Sequence, residues 1–334
     1  MSGVQTITIT DEDFGDAIGQ RLDRWFKRRF PHIGHGRVEK LLRTGQLRIN
    51  GKRSKGAQRL ASGDIIRIPP LPDPSQVKEA HAPNPADVQF MRSLILYEDE
   101  DLIALNKPLG LAVQGGTKTT RHIDGLLPTL GENCRLVHRL DRDTTGVLLI
   151  ARSANAAKWI GKAFQHRRAE KTYWGITNGV PRPQSGEIKG YMVKERVSEK
   201  VHGRLHDREI MQAVRHGTAG AKHARTLYYT AATAGTRAAW VIMQPLTGRT
   251  HQLRLHMQLL GAPIAGDPKY LTDRDFLGGL TPKLHLHAKS LVLPRPERSD
   301  LLIEAPLPPH MKKSFSALGF ETKNPPSIDW QTLS

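Results

Sequence analysis

Residues that could do chemistry are concentrated at positions 138–146, directly before an apolar run. The polar segment reads HRLDRDTTG, and residues 147–151 read VLLIA. Because such an apolar run is typical of a buried strand, the polar segment is predicted to be a loop at one end of a sheet. Asp141 lies between two arginines, whose positive charge is expected to lower its pKa and keep it ionised. It could then serve as a nucleophile or a general base, or it could simply cap backbone groups in a turn.

A second polar cluster surrounds Tyr173. Residues 169–175 read AEKTYWG and follow a predicted helix that Ser153 caps and that extends to about Phe164. The cations in this neighbourhood are Lys162, Arg167, Arg168 and Lys171. An aromatic ring among cations suits an unstacked nucleic-acid base, because the ring stacks on the base and the cations bind its phosphates. Trp174 is predicted instead to face the core.

The third cluster, residues 246–256, reads LTGRTHQLRLH and lies between a predicted strand at 238–243 and a predicted helix that Gly261 ends. Arg249 is placed near the start of this helix, and Arg254 about one turn further in. Because a guanidinium can donate two parallel hydrogen bonds, either arginine could pair with a carboxylate or hold a phosphate.

The sequence gives little support for a metal or a nucleotide cofactor. Asp141 and Asp143 could bind Mg²⁺, but no further carboxylates cluster near them in the sequence. His251 and His256 do not have the spacing of an H-E-x-x-H zinc site. Residues 217–222 lack the G-K-[ST] ending of a phosphate-binding loop. We therefore expect no cofactor and no metal.

Composition limits the class of protein. The chain has 334 residues, with 50 Lys and Arg against 32 Asp and Glu, a formal net charge of +18 and one cysteine, Cys134. This charge indicates a polyanionic partner, either nucleic acid or an anionic membrane surface. One cysteine excludes a disulfide-stapled secreted protein, and no apolar run reaches the roughly 18–20 residues of a membrane span. We expect a cytoplasmic monomer that does not associate with membranes, in which Cys134 is a packing residue.

The positive charge is concentrated near the N-terminus. Residues 21–59 contain thirteen lysines and arginines and only two acidic residues. The apolar spacing predicts short amphipathic helices near 22–30 and 38–42, and the Asn50-Gly51 turn predicts a small sheet after them. The basic residues predicted to contact RNA on these helices are Arg24, Lys27, Arg28, Arg37, Lys40 and Arg43. The alternative is a solvated charged face, although so uneven a charge costs self-repulsion without a partner.

Two domains are expected, with an α+β fold overall. The basic module forms a small domain at 18–70, and a proline-rich segment at 71–92 is predicted to be an extended linker. Strands and helices then alternate over 93–320, which is long enough to bury one large core. Residues 321–334 are predicted to form a loosely docked or unstructured tail.

The three polar clusters, taken together, resemble the RluA type of large-subunit ribosomal RNA pseudouridine synthase. The resemblance begins with HRLDRDTTG at 138–146. It continues in consistent order through residues 96–101, 106–108, 171–173, 247–254 and 263–270. It implies a mixed, mainly antiparallel sheet flanked by helices, and the N-terminal module resembles an S4 RNA-binding domain. Within the family, Gly115-Gly116 and the DRD segment at 141–143 favour one ribosomal subgroup.

The resemblance also implies an activity and residue roles. The chain would isomerise specific uridines to pseudouridine in large-subunit ribosomal RNA, free or within a pre-ribosomal particle, without a cofactor. Asp141 would be the essential carboxylate, acting either as nucleophile or as base. Tyr173 would stack on the target base, and Arg254 would pair with Asp141, with Arg249 as the second candidate. Arg139 would fill the place that the extruded base leaves in the RNA.

Two positions depart from the family pattern. Thr145 replaces a serine common in relatives, and Gln114 replaces a histidine, but neither is an implied catalytic residue. Three alternatives remain open: a non-catalytic RNA-binding or ribosome-assembly factor, a pseudouridine synthase acting on another RNA such as tRNA, and a metal-dependent nuclease. The first alternative predicts salt-sensitive RNA binding without any change in uridine chemistry.

Overall fold

The computed structural model divides the chain into two compact units, Met1–Ala82 and Pro83–Ser334. It describes residues 3–10, 12, 17–33, 35–72, 84–115, 119, 121–201, 204–270 and 278–333, with the backbone alone at 35, 198–201 and 204–208. Pro74 and Pro83 of the predicted linker, and Gly116, lie outside these residues. Within the described ranges, no helix has both the length and the apolar character needed to cross a membrane.

The first unit packs two helices on a four-stranded antiparallel sheet with the strand order β1-β4-β2-β3. Its elements are β1 (Gln5–Thr8), α1 (Leu22–Arg29), α2 (His35–Arg43), β2 (Arg48–Ile49), β3 (Lys52–Arg53) and β4 (Ile65–Ile68). Asn50 and Gly51 join β2 to β3 with φ angles of 50° and 72°, as expected for a two-residue hairpin turn. Strand β1 extends this unit beyond the expected start at residue 18, because all four of its residues pair with β4.

The helices of this unit bury one face and expose their cations. Leu22, Trp25 and Phe26 of α1 pack in one core with Val38 and Leu41 of α2. The six basic residues predicted to contact RNA are all exposed on these helices: Arg24, Lys27, Arg28, Arg37, Lys40 and Arg43. The amphipathic spacing of the sequence therefore produces a cationic surface above a shared apolar core.

The second unit is built on an 11-stranded sheet. Its strands are β5 (Ile95–Glu98), β6 (Leu102–Lys107), β7 (Arg135–Leu136), β8 (Thr145–Ala151), β9 (Glu170–Asn178), β10 (Ser185–Val201), β11 (Arg204–Val214), β12 (Lys222–Ala234), β13 (Ala238–Pro245), β14 (Leu286–Arg295) and β15 (Arg298–Glu304). Its α-helices are α3 (Pro85–Ser93), α4 (Ile123–Leu126), α5 (Ala154–Gln165), α6 (Gln252–Leu259) and α7 (Pro309–Ala317).

Neighbouring strands of this sheet follow the order β11-β10-β12-β13-β9-β14-β8-β6-β5, with β15 beside β14 and β7 beside β8. Strands β14 and β8 run parallel, whereas the other described pairs run antiparallel. This confirms the mixed, mainly antiparallel sheet flanked by helices. The parallel pair lies near the centre of the sheet, where apolar clusters cover both faces of β8.

Part of the expected linker is more ordered than the sequence predicts. It forms helix α3 (Pro85–Ser93), because the Asn84 side chain caps its first turn and a proline is compatible with that turn. Of the two states predicted for the tail at 321–334, the described residues show the docked one, since Ile328 and Trp330 pack against an apolar cluster of the second unit.

Strand β8 holds the loop that carries Asp141. All seven residues of β8 are buried, as expected from the apolar run. Near its start, Gly146 has a φ of 106°, and a Cβ at this position would lie 2.1 Å from the carbonyl oxygen of Ala288 in β14. Only glycine permits both this backbone conformation and this approach. The close contact of β8 with β14 therefore fixes where the loop that carries Asp141 ends.

Candidate active site

The three polar clusters line one cavity in the second unit, with a volume of about 420 Å³. They reach it from the loop before β8, from β9, and from the loop and helix that follow β13. Asp141, Tyr173, Arg254, Arg139 and Arg249 are all among the lining residues. The structure thus brings together all five residues of this unit to which the family resemblance gives a role.

Arg254 lies between two carboxylates. Its Nε and Nη2 each donate a hydrogen bond of 2.7 Å to Asp267, and its Nη1 lies 3.6 Å from Oδ2 of Asp141. Arg254 is 4% exposed and Asp267 is 0% exposed, so their pairing is both buried and bidentate. Arg249, the second candidate for this position, is exposed, and its Nε donates to the backbone carbonyl of His223.

Gln252 fixes the loop that leads into α6. Its side-chain oxygen accepts hydrogen bonds from the Thr247 hydroxyl at 2.7 Å and from the Arg249 backbone N–H at 3.1 Å. Its side-chain nitrogen donates to the Arg225 carbonyl at 2.8 Å and to the Thr226 hydroxyl at 2.9 Å. A buried amide with both ends satisfied holds a single orientation. The start of α6 is therefore attached to β12, and Arg254 follows within the first turn.

Burial raises the pKa of Asp141 above its ordinary value, because a less hydrated site disfavours the charged carboxylate. Arg254 and Arg139 act in the opposite direction. The expected lowering by both flanking arginines is not found, since Arg142 pairs with Asp143 at 3.2 Å instead. The Asp141 side chain keeps 26% of its surface exposed, so it remains accessible from the cavity. A carboxylate with a raised pKa is a stronger base than one in bulk water.

Tyr173 is partly buried on β9, beside Met243 of β13 and Ala288 of β14. Burial and the negative charge of Asp141 raise the pKa of its hydroxyl, so the phenol is neutral near pH 7. In the part of the chain that the structure describes, this hydroxyl has no hydrogen-bond partner. Both the ring and the hydroxyl are therefore available to a bound molecule.

Sequence reasoning assigned no role to Asp267, and it weighed His251 only as a metal ligand. The Tyr270 hydroxyl accepts a hydrogen bond of 2.8 Å from the Met211 N–H and lies 3.0 Å from Nδ1 of His251. Burial lowers the pKa of His251 to about 3, so its ring is neutral. Tyr270 has its own proton to donate to Nδ1, which leaves the ring proton of His251 on Nε2, 3.9 Å from Asp141. The one sequence feature that points to Asp267 and Tyr270 is that both lie in 263–270, a segment that shares the family resemblance.

Lys107 contacts the loop that carries Asp141 from the side of β6. Its Nζ donates to the backbone carbonyls of Pro108 at 2.9 Å, Leu111 at 2.9 Å and Arg142 at 2.8 Å. The side chain is 0% exposed, and burial lowers its pKa to about 7. Three carbonyl acceptors are satisfied together only by the three N–H groups of an ammonium. This contact anchors the backbone directly after Asp141.

Three other residues considered from the sequence, Trp174, Cys134 and His256, make packing or hydrogen-bonding contacts that stabilise the fold. Trp174 is 4% exposed and packs in the core, as predicted, and Cys134 packs against the cluster beneath β8. His256 is buried and pairs with the Thr226 hydroxyl at 2.9 Å. Among the described residues, no three histidine, cysteine, aspartate or glutamate side chains are grouped so that they could hold a metal ion.

The chain is similar in sequence and in fold to known pseudouridine synthases. Residues 101–259 match the family described as RNA pseudouridylate synthase. A Rickettsia bellii protein named ribosomal large subunit pseudouridine synthase C is 34% identical over 306 residues, which are 89% of this chain and 97% of that protein. The Escherichia coli protein of the same name is 31% identical over 325 residues, 94% of this chain and 97% of its own. The solved structure of human RNA pseudouridylate synthase domain containing 4 matches with a TM-score of 0.59 and 29% identity, covering 72% of this chain and 99% of that one.

Proposed function

Because the chain belongs to the RNA pseudouridylate synthase family, we propose that it converts uridines of large-subunit ribosomal RNA to pseudouridine. The enzyme is thus an isomerase. The substrate class rests on relatives named for the large ribosomal subunit that are similar to nearly the whole chain. The proposed chemistry rests chiefly on one observation, the buried Arg254 held by Asp267 beside Asp141.

The reaction breaks the bond between N1 of uracil and C1′ of the ribose and forms a bond between C5 and C1′. C5 loses a proton and N1 gains one, so the isomerisation balances without an oxidant or a reductant. In our proposal Asp141 is the essential carboxylate, which either attacks the nucleotide or removes a ribose proton. Because burial raises the pKa of Asp141, the carboxylate is a stronger base and nucleophile. The Arg254 guanidinium orients this carboxylate and balances its charge.

The target nucleotide must leave its stack to reach Asp141. We assign to Tyr173 the stacking contact with the extruded uracil, and to its neutral hydroxyl a part in the later proton transfer. Arg139, exposed at the cavity, fills the vacated place in the RNA, and Arg249 contacts the RNA backbone. A cavity of about 420 Å³ is within the size range of small-ligand sites.

The first unit is proposed to be an S4-type RNA-binding domain. Its support is an apolar core of its own together with the exposed basic residues of α1 and α2. Its partner would be ribosomal RNA, either free or in a pre-ribosomal particle, because a dense cationic surface binds phosphates. A cytoplasmic location and a monomeric state remain predictions from the sequence.

The purified full chain is expected to form pseudouridine in unmodified large-subunit ribosomal RNA transcribed in vitro, with no nucleotide cofactor added. Chemical mapping of pseudouridine gives the sites, and small-subunit ribosomal RNA and tRNA transcripts serve as controls. Modification of tRNA alone would contradict the substrate class. Tight, salt-sensitive binding to the ribosomal RNA without any pseudouridine would favour a non-catalytic assembly factor instead.

Removing the first unit, Met1–Ala82, is expected to weaken binding to full ribosomal RNA far more than turnover of a short RNA that contains the mapped uridine. The physical reason is that the cations of α1 and α2 are lost, whereas the cavity is formed within the second unit. The measurements are KM and kcat on both RNAs. A full-length variant with the six exposed arginines and lysines changed to glutamine controls for truncation itself. Equal kinetics on full ribosomal RNA would show that this unit does not bind the substrate.

A further inference from the structure

Lys171 is a cation of the cavity to which the mechanism above gives no role. It lies two residues before Tyr173 on β9, so the two side chains share one face of the strand, and both line the cavity. Its side chain is partly buried, with its Nζ 6.0 Å from the centre of the Phe164 ring. Among the residues that the structure describes, no carboxylate pairs with it.

The surroundings of Lys171 disfavour a lone positive charge. Burial lowers its pKa, and the like charge of Arg167 lowers it further. The neighbouring cation Arg254 differs, because Asp267 and Asp141 both balance it. A partly buried ammonium without an anion is costly, and that cost is relieved when an anion binds. The positive charge of Lys171 is therefore not balanced by any carboxylate of the described residues.

We propose that Lys171, assisted by Arg167, binds a backbone phosphate next to the uracil that enters the cavity. This inference rests on the proposed function, since it takes a nucleotide as the occupant. When a nucleotide is extruded, its base enters the pocket while its charged phosphates stay at the mouth. Arg167 lies exposed in the turn between α5 and β9, close enough for its charge to act on Lys171. Two cations that no described carboxylate pairs with suit one monoanionic phosphodiester group.

The uracil oxygens are the competing anionic partner, because negative charge develops on the base when it detaches from the ribose. They would use Lys171 only during the chemical step and would leave Arg167 without a function. The repulsion between the two cations is present before any chemistry, and a phosphate relieves it on binding. We therefore assign Lys171 to ground-state binding of the RNA backbone.

The experiment compares Lys171→Met, which keeps most of the apolar length of the side chain but removes the charge, with Lys171→Arg, which keeps the charge. Lys158→Met is the matched control, because Lys158 is exposed on α5 and does not line the cavity. In-vitro large-subunit ribosomal RNA is the probe, and Kd is measured over a series of salt concentrations. We expect Lys171→Met to raise Kd about tenfold, as for loss of one charge-assisted hydrogen bond. The plot of log affinity against log salt concentration should become shallower by roughly 0.7–0.9, which corresponds to the loss of about one phosphate contact.

A chemical probe identifies the phosphate directly. Short RNAs that contain the mapped uridine carry one uncharged methylphosphonate at each neighbouring position in turn. We expect one such position to weaken binding by the wild-type chain by at least tenfold, and to weaken binding by Lys171→Met much less, because only the Arg167 contact is then left to lose. Lys171→Arg should restore most of the affinity, and Lys158→Met should match the wild type.

Each alternative outcome is distinct. A fall in kcat with Kd and salt slope unchanged would place Lys171 on the detached uracil and overturn the proposal. If Lys171→Met fails to fold, the methylphosphonate series on the wild type decides, and no sensitive position would also overturn the proposal. A wild-type chain that forms no pseudouridine contradicts the proposed function separately, while the binding measurements on the same ribosomal RNA still test the phosphate contact.

Discussion

Replacing Asp141 with asparagine is expected to abolish pseudouridine formation while the protein still folds and binds RNA. Asparagine has nearly the same shape as aspartate, but its amide is neither a base nor a nucleophile at neutral pH. The fold should tolerate the change, because Arg254 keeps its two 2.7 Å hydrogen bonds to Asp267. The variant weakens only the ion pair between Arg254 and Asp141, and at 3.6 Å this pair is longer than the one between Arg254 and Asp267. The rate of the chemical step should fall by about 10⁴-fold or more.

The measurement is a single-turnover assay on large-subunit ribosomal RNA, with Kd and the thermal unfolding midpoint determined on the same preparation. Asp143→Asn is the matched control, since Asp143 lies in the same loop and pairs outward with Arg142. It should retain most of the activity. Pseudouridine formed by Asp141→Asn as the sole enzyme present would show that the carboxylate is not essential. A ribosome-assembly factor would predict that this variant keeps its full biological function.

The sequence predicts the parts of the site that depend on local patterns. The apolar run of β8 places the loop of Asp141, and Ser153 caps α5 as expected. The turn at Asn50 and Gly51 follows from the two residues that most readily adopt a positive φ. In each case neighbouring residues alone determine the structure, so no knowledge of the rest of the fold is required.

Asp267 could not be assigned a partner from the sequence, because its pairing depends on the tertiary fold. It is 13 residues from Arg254, and it becomes a buried partner only because the chain turns at Gly266, where φ is 70°. A Cβ at Gly266 would lie 2.0 Å from the Lys283 carbonyl oxygen, so the turn depends on close packing against the segment that precedes β14. The parallel pairing of β8 with β14 also depends on the tertiary fold, because it joins Thr145 to residues about 140 positions later in the chain.

The direction of the Asp141 pKa shift shows a related limit. The sequence places one arginine on each side of Asp141, which suggests a lowered pKa. In the structure burial has the larger effect, and Arg142 points to Asp143. Burial is a property of the assembled cavity, and sequence neighbours do not report it.

Replacing Arg254 with glutamine is expected to reduce both stability and activity. Asp267, at 0% exposure, would lose two charge-assisted hydrogen bonds and keep its contacts to the backbone N–H groups of Lys269 at 2.9 Å and Tyr270 at 3.3 Å. Removing one partner of a buried pair leaves an uncompensated charge and costs about 3–5 kcal/mol. Denaturant unfolding measures this loss. Arg254→Lys should recover only part of it, because an ammonium cannot donate in the same bidentate geometry. A glutamine variant as stable as the wild type would contradict the structural role of the pair.

The double variant Arg254→Met/Asp267→Asn separates the two roles of this arginine. Removing both charges of a buried ion pair leaves no unpaired charge, and the asparagine oxygen can still accept from the backbone N–H groups of Lys269 and Tyr270, so most of the lost stability should return. Activity should not return, because Asp141 would still lack the cation that orients it and balances its charge. Unfolding free energy and single-turnover rate on the same variant measure these effects independently. A double variant that is both stable and active would show that Arg254 is needed only to neutralise Asp267, and Asp141 would then have to work without a cationic partner.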